Sequence, residues 1–295
     1  MTKVVAIVPC FNEEKSIGKT INSLKNSKYS LEILVVDNGS FDFTQKIAVE
    51  SGAKVVVETR KGKGFAVRRG FAEIDFDCCV VIDGDGTYDT QNLDEMISLV
   101  IDQKFDMVVG KRTSKGRTKT YPVGHVFGNK LITLINRILF GYDLTDSLSG
   151  LRVMSRSFVK SFVFNPANFE IEVTLNVHSM LLNAKIVEVE CDYFERPKGS
   201  ISKLNTFRDG FKITYTLIKY FSQWKPGQFI AFLSTFLFLG VSIITFFVGQ
   251  ISFNSFFLYL ILYIFFLLFG STVKRLSEIK KNQLIILKKT IELSS

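Results

Sequence analysis

The chain has 295 residues, 47% of them hydrophobic, and a formal net charge of +9. That is enough for one good-sized core plus something extra. Its four cysteines show no CxxC spacing and its two histidines stand far apart, which argues against a zinc site and favours reduced, buried thiols.

In chain order, Lys3 is followed at once by the apolar run Val4–Val8. The run is too short for a secretory leader, so the N-terminal part is expected to fold in the cytoplasm. It reads as a strand ended by Pro9, followed by Phe11-Asn12-Glu13-Glu14. Residues 16–24 have helical spacing, 32–36 form a second strand, 44–51 a helix and 54–57 a third strand. A basic glycine-containing stretch, Arg60–Gly64, leads into a helix at 65–74. Strand 78–82, helix 93–101 and strand 107–110 follow. Alternating strands and helices predict an open α/β sheet with mostly parallel pairing.

Polar clusters recur at the predicted strand ends: Pro9–Glu13, Asp37–Ser40, Asp83–Asp89 and Lys111-Arg112. Ligands bind at the carboxyl ends of strands in such sheets. Asp83, Asp85 and Asp89, with Gly84 and Gly86 among them, repel one another unless they are solvated or share a cation. A metal holding a diphosphate and a solvated acidic turn both stay open on these residues alone. No GxGxxG follows the first strand and no Walker A sequence occurs, which argues against a nicotinamide or P-loop enzyme.

Residues 128–140 read as an apolar helix, 143–152 as a polar turn, 169–182 as a helix and 186–189 as a strand. Tyr193–Ser200 and Lys203 form a basic loop able to bind phosphate oxygens. Residues 204–224 are amphipathic, with aromatic residues on one stripe and Arg208, Lys212 and Lys219 off it, as in a helix lying in a membrane interface or packed on a core. From Pro226 to Val273 no charge occurs, and 229–249 and 256–273 each approach the ~20 residues that cross a bilayer. Gln250, Ser252, Asn254 and Ser255 form the turn between them. Basic residues on both flanks place both termini in the cytoplasm. The positive charge admits nucleic acid or an anionic membrane as partner; the flanking of the apolar segment favours the membrane, and no aromatic–basic nucleic-acid module is present.

Four motifs in order, Val-Pro-Cys-Phe-Asn-Glu-Glu (8–14), Val-Asp-Asn-Gly-Ser (36–40), Asp-Gly-Asp-Gly-Thr-Tyr-Asp (83–89) and Asp-Ser-Leu-Ser-Gly-Leu-Arg (146–152), resemble glycosyltransferase family 2 and, more narrowly, its polyprenyl-phosphate branch. The resemblance implies a GT-A catalytic domain (1–203), an interface helix (204–225), a transmembrane hairpin (226–273) and a cytoplasmic tail (274–295). It implies a nucleotide-sugar donor, a polyprenyl-phosphate acceptor, and Mg2+ or Mn2+. Pro9, Phe11 and Glu13 would line the nucleoside pocket, with Asp37 and Asn38 near the base. Asp83, Gly84 and Asp85 match the DxD motif, Asp85 holding the metal with Asp83 beside it. Arg112 matches a basic position near the acceptor phosphate, and Arg196 and Lys203 match a loop that closes on the donor phosphates. Asn38 and Thr87 depart from the commoner residues at their positions. A relative acting on a sugar hydroxyl would need a carboxylate base, for which Asp146 and Glu172 are candidates; a non-enzymatic nucleotide-sugar-binding scaffold is the third reading.

Overall fold

The computed structural model describes residues 2–113, 123–141, 143–197, 199–200, 202–203, 205–248 and 253–294. Lys198 and Leu204, and Gln250 and Ser252 of the expected turn, lie outside the described residues. The chain divides into two compact units, Met1–Thr216 with Leu287–Ser295, and Leu217–Ile286.

The elements run β1 (Val4–Cys10), α1 (Ile17–Lys25), β2 (Leu31–Asp37), α2 (Thr44–Glu50), β3 (Lys54–Val57), α3 (Lys63–Glu73), β4 (Cys78–Val81), α4 (Leu93–Ile101) and β5 (Met107–Thr113). Then come α5 (Val123–Phe140), β6 (Arg152–Ser155), α6 (Arg156–Lys160), α7 (Ile171–Leu181), β7 (Ile186–Asp192), α8 (Thr206–Trp224), α9 (Pro226–Val248) and α10 (Phe253–Leu293).

Seven strands form one sheet in the order β3-β2-β1-β4-β6-β5-β7. The pairs β1–β2, β1–β4, β2–β3 and β5–β7 are parallel, and β6 runs antiparallel between β4 and β5. β1 and β4 are buried along their whole length, as central strands covered on both faces must be, which is why they read as unbroken apolar runs. Their side chains, with those of α1 and α4, make the main core.

β1 continues through Pro9 to Cys10, where the sequence had suggested a stop. The ladder to β4 ends at Ile7–Val81, and β2 stays paired as far as Cys10–Asp37. Pro9 lacks its donor on the β4 side, where the ladder ends, while the Cys10 carbonyl still accepts the Asn38 N–H on the β2 side. β6 and α6 were absent from the sequence reading. The strand is only four residues long and opens on a buried arginine, Arg152, which hides its periodicity.

In the second unit, α9 and α10 pack closely where Gly227 approaches the Gly270 carbonyl, and the Phe238 and Tyr263 rings stack at 4.9 Å. Pro226–Ile244 and Phe257–Leu293 are long and apolar enough to cross a membrane, and both are scarcely buried. α10 runs unbroken to Leu293, so the expected tail is the end of one 41-residue helix. No glycine or proline follows Gly270 to stop it. Its last turns belong to the first unit, where Lys288 Nζ lies 2.6 Å from Asp106 Oδ1.

Candidate active site

The parallel strands bring three loops to one edge of the sheet. After β1, Asn12 adopts a left-handed backbone (φ 52°), which asparagine tolerates better than most residues. The Asn12 N–H donates to Ser40 Oγ (2.8 Å) and the Glu13 N–H to Thr44 Oγ1 (2.8 Å), tying this loop to the one after β2. Glu13 is buried. Its carboxylate accepts from Lys203 Nζ (2.6 Å), Ser200 Oγ (3.3 Å) and Ser16 Oγ (3.2 Å), and Arg196 Nη1 lies 3.3 Å away.

At the end of β2, Asp37 is fully buried. Its Oδ2 accepts from the Gly39 and Ser40 N–H groups and from Gln45 Nε2, whereas Oδ1 has no hydrogen-bond partner. Asn38 faces the neighbouring loop. Its Nδ2 donates to the Glu58 and Arg60 carbonyls at 2.9 and 2.7 Å, and its Oδ1 accepts the Gly62 N–H at 2.6 Å. An aspartate could not make the first two bonds, so the departure at position 38 fixes the Arg60–Gly62 loop. Gly62 has φ 137°, and a Cβ there would strike the Ala167 carbonyl; only glycine fits this crossing.

Asp83 and Asp85 follow β4. Asp85 is buried; Oδ1 accepts from the Thr87 N–H and Oγ1, and Oδ2 lies 2.6 Å from Arg196 Nη2. Thr87 thus braces the carboxylate with both its backbone and its hydroxyl donor. Burial raises the Asp85 carboxyl above its ordinary range, Asp83 adds to this, and Arg196 opposes it. The Phe194 N–H bonds to the Thr87 carbonyl and Tyr193 bridges to Tyr88, so the basic loop is laid alongside the acidic turn and Arg196 arrives at Asp85.

Asp83 meets a residue that the sequence reading passed over. Lys63 Nζ lies 2.5 Å from Asp83 Oδ1 and 2.6 Å from Glu172 Oε1, and all three groups are largely enclosed. Burial works against the ammonium, yet the two carboxylates raise its pKa; burial likewise raises Glu172, with Lys63 pulling the other way. On the other side of Asp83, a Cβ at Gly150 would collide with its carboxylate.

Arg112 and Asp146 form a fork: Nε donates to Oδ2 and Nη2 to Oδ1, each at 2.7 Å. Asn129 Nδ2 adds a third bond to Oδ1 at 3.0 Å. Burial disfavours the Asp146 charge, but the Arg112 bonds and charge outweigh it and hold the carboxyl below its usual range. The Arg112 guanidinium sits 5.5 Å from the Tyr193 ring centre, and Tyr193 meets Tyr88 edge-on at 5.1 Å.

A cleft of about 530 Å³ opens across this edge. Pro9, Phe11, Glu13, Asn38, Asp83, Gly84, Asp85, Arg196 and Lys203 line it; Asp37, Arg112 and Asp146 are not among its lining residues. It also takes in Lys61, Lys63, Asn168, Phe169 and Arg208, which sequence reasoning did not assign. The glycine pair flanking Lys63 was the available signal, since it marks a close backbone approach.

Among the described residues no group of three or more His, Cys, Asp and Glu side chains is set to hold a metal. Asp85 and Asp83 offer hard oxygen donors, so a Mg2+ or Mn2+ ion would fit here with one or two protein carboxylates and the remaining positions filled by phosphate oxygens and water.

The family model for "Glycosyl transferase family 2" matches residues 5–162. The glycosyltransferase AglJ of Haloferax volcanii is 30% identical over 81% of this chain and 80% of its own length. The UDP-N-acetylglucosamine–dolichyl-phosphate N-acetylglucosaminyltransferase of Methanococcus voltae is 31% identical over 73% of this chain and 94% of its own. Glucosyl-3-phosphoglycerate synthase of Mycobacterium tuberculosis, solved with Mn2+, UDP and its product, superposes with a TM-score of 0.58 at 22% identity, covering 75% of this chain and 79% of that one. That likeness gives the fold, and the expected GT-A architecture is the one found. With the four motifs gathered at one edge of this sheet and the family model spanning more than half of the residues, the chain belongs to glycosyl transferase family 2 and is a glycosyltransferase.

Proposed function

We propose that the protein transfers a sugar from a nucleoside diphosphate to a polyprenyl phosphate at a membrane, with inversion at the anomeric carbon. The observation that carries this reading is that Asp83, Asp85, Arg196 and Lys203 all line one cleft, with Arg196 paired to Asp85 and Lys203 to Glu13. That pairing suits a diphosphate, which needs cations on one side and a metal-binding carboxylate on the other. The relative from Methanococcus voltae, named for transfer to dolichyl phosphate, supports the acceptor class.

In this reading Pro9 and Phe11 receive the nucleoside, the fully buried Asp37 holds the Gly39-Ser40 turn beside it, and Asn38 holds the neighbouring loop. Asp85, with Asp83, holds a divalent cation, which when bound supplies Lewis-acid neutralisation of the departing diphosphate. Arg196 and Lys203 leave Glu13 and Asp85 and donate to the phosphate oxygens as charge builds there. Lys63 holds the Asp83 carboxylate in place through their ion pair. The acceptor's second pKa is about 6, so it arrives largely ionised and requires no strong base. Asp146 then serves to fix the plane of the Arg112 guanidinium, which orients the acceptor phosphate. α9 and α10 cross the bilayer, with the catalytic domain and both termini on the cytoplasmic side.

Membranes carrying the protein are to be incubated with labelled UDP- and GDP-sugars and polyprenyl phosphate, with and without Mg2+ or Mn2+. A lipid-linked, mild-acid-labile product that needs the metal is the expected result. Its absence with every donor would overturn the reading. Transfer to a sugar hydroxyl is the second reading; there Glu172, whose carboxyl burial raises, would be the candidate base rather than Asp146, which the Arg112 fork holds low.

A further inference from the structure

Tyr88 stands on the acidic turn, three residues past Asp85, and is buried. It is not among the residues lining the cleft, so it reaches the site only through others. Its hydroxyl can accept one hydrogen bond while donating another. It accepts the Gly150 N–H at 2.6 Å and meets Ser149 Oγ at 3.3 Å. Ser149 gives its own proton to the Gly110 carbonyl and accepts the Leu151 N–H, so at the second contact Tyr88 is the donor.

Each of these bonds leads to a different arm of the site. Gly150 is the residue whose backbone lies against the Asp83 carboxylate with no room for a Cβ. Ser149 ties the loop to Gly110, two residues before Arg112 on β5, and the Gly110 N–H returns a bond to the Leu151 carbonyl at 2.9 Å. The Tyr88 ring stands edge-on to Tyr193, over whose face the Arg112 guanidinium lies. From behind, Arg152 fixes the same loop. Its Nε donates to the Ser149 carbonyl at 3.0 Å and its Nη2 to the Ser147 carbonyl at 3.1 Å, where Asn176 Nδ2 adds a further bond. A buried network satisfied in this way is rigid. The segment from Asp146 to Leu151 therefore acts as a strut, with Asp146 gripping Arg112 at one end and Gly150 abutting Asp83 at the other.

We propose that the Tyr88 hydroxyl is a positioning group for the transfer: it holds the Asp83 carboxylate and the Arg112 guanidinium at a fixed separation. The inference rests on the functional reading above, in which Asp83 stands beside the metal and Arg112 orients the acceptor phosphate. The separation then sets how far the incoming phosphate stands from the donor sugar. In-line attack needs the reacting atoms about 3–3.5 Å apart and aligned, and a displacement of ~1 Å costs up to ~100-fold in rate. A buried hydroxyl that is bonded towards both arms and lines no part of the cleft is placed to hold that distance.

The test compares the full chain in detergent with Tyr88→Phe, which keeps the ring against Tyr193 and removes only the hydroxyl. Three constants are measured well below both melting temperatures: Mn2+ affinity in the presence of UDP or GDP by paramagnetic titration, the KM for polyprenyl phosphate, and kcat. The expected result is a kcat lower by about tenfold or more, with Mn2+ affinity and acceptor KM each weakened severalfold. Ser149→Ala removes the partner of one Tyr88 bond, and the kcat loss in the double variant is expected to be smaller than the product of the two single losses. A role in stability alone lowers the melting temperature and leaves the three constants where they were; that result, or single losses that multiply, would overturn the proposal. Should Tyr88→Phe fail to fold, Ser149→Ala alone carries the same expectations. If the wild-type chain makes no lipid-linked sugar, the functional reading fails while the Mn2+ titration still judges Tyr88: a severalfold loss supports its role and an unchanged affinity overturns it.

Discussion

Arg196 occupies Asp85: its Nη2 lies 2.6 Å from Asp85 Oδ2, while Nη1 lies 3.3 Å from Glu13 Oε1. The loop cation therefore covers the carboxylate oxygen that a metal would use. On the proposed reading a guanidinium and a divalent ion would compete for that oxygen, and a diphosphate, able to bind both, would relieve the competition. Arg196→Gln is expected to bind Mn2+ alone severalfold more tightly than the parent chain, measured by paramagnetic titration without nucleotide. The same variant loses charge-assisted bonds of about 1.5–3 kcal/mol to the diphosphate, so its nucleotide affinity falls by about tenfold or more. Unchanged Mn2+ affinity would remove the covering role.

Gly150 faces Asp83 with no room for a methyl group. The Asp83 carboxylate cannot swing away without leaving Lys63. Gly150→Ala is expected to fold, to lose about 1–3 kcal/mol of stability through overpacking, and to lower kcat/KM by more than tenfold. Melting temperature and steady-state kinetics on one preparation separate the two effects. Full activity would show that Asp83 has slack that the structure denies it.

Asn38 tests whether a common variant of the motif can be restored. Asn38→Asp replaces the amide nitrogen that donates to both the Glu58 and Arg60 carbonyls with a single carboxylate oxygen. Leaving those carbonyls unmet, against a like charge, costs about 1–3 kcal/mol or forces the loop to shift. A lower melting temperature together with a raised nucleotide KM is expected. Neither change would mean that the loop has a second, equally good arrangement.

The central strands and the acidic turn were legible because their signals are local: unbroken apolar runs for β1 and β4, and polar groups just beyond them. The sequence also placed Glu13, Arg196 and Lys203 together by motif, and the structure brings them within ion-pair distance. What it hid was non-local. Nothing near Lys63 announces that Glu172, more than a hundred residues on, closes the other side of its ammonium. Nor does the sequence, in which Asp146 reads as a candidate base, show that Arg112 grips both of its carboxylate oxygens.

The fork itself gives the pH prediction. Asp146 is buried and Arg112 mostly so, and their pairing holds the Asp146 carboxyl below its ordinary value near 3.9. A depressed folded-state pKa means that the stability it contributes is present above about pH 4 and is lost as pH falls through the folded value. Asp146→Asn removes the charge at every pH and takes the forked carboxylate away from Arg112, at a cost of about 3 kcal/mol near neutrality. The melting temperature of the variant in detergent should therefore lie well below the parent's at pH 7, with the gap narrowing as pH is lowered below 4. If Asp146 acts only by orienting Arg112, the variant also raises the acceptor KM and keeps the parent's pH dependence of kcat. Loss of an ascending limb in that profile, with the acceptor KM unchanged, would instead make Asp146 a proton acceptor.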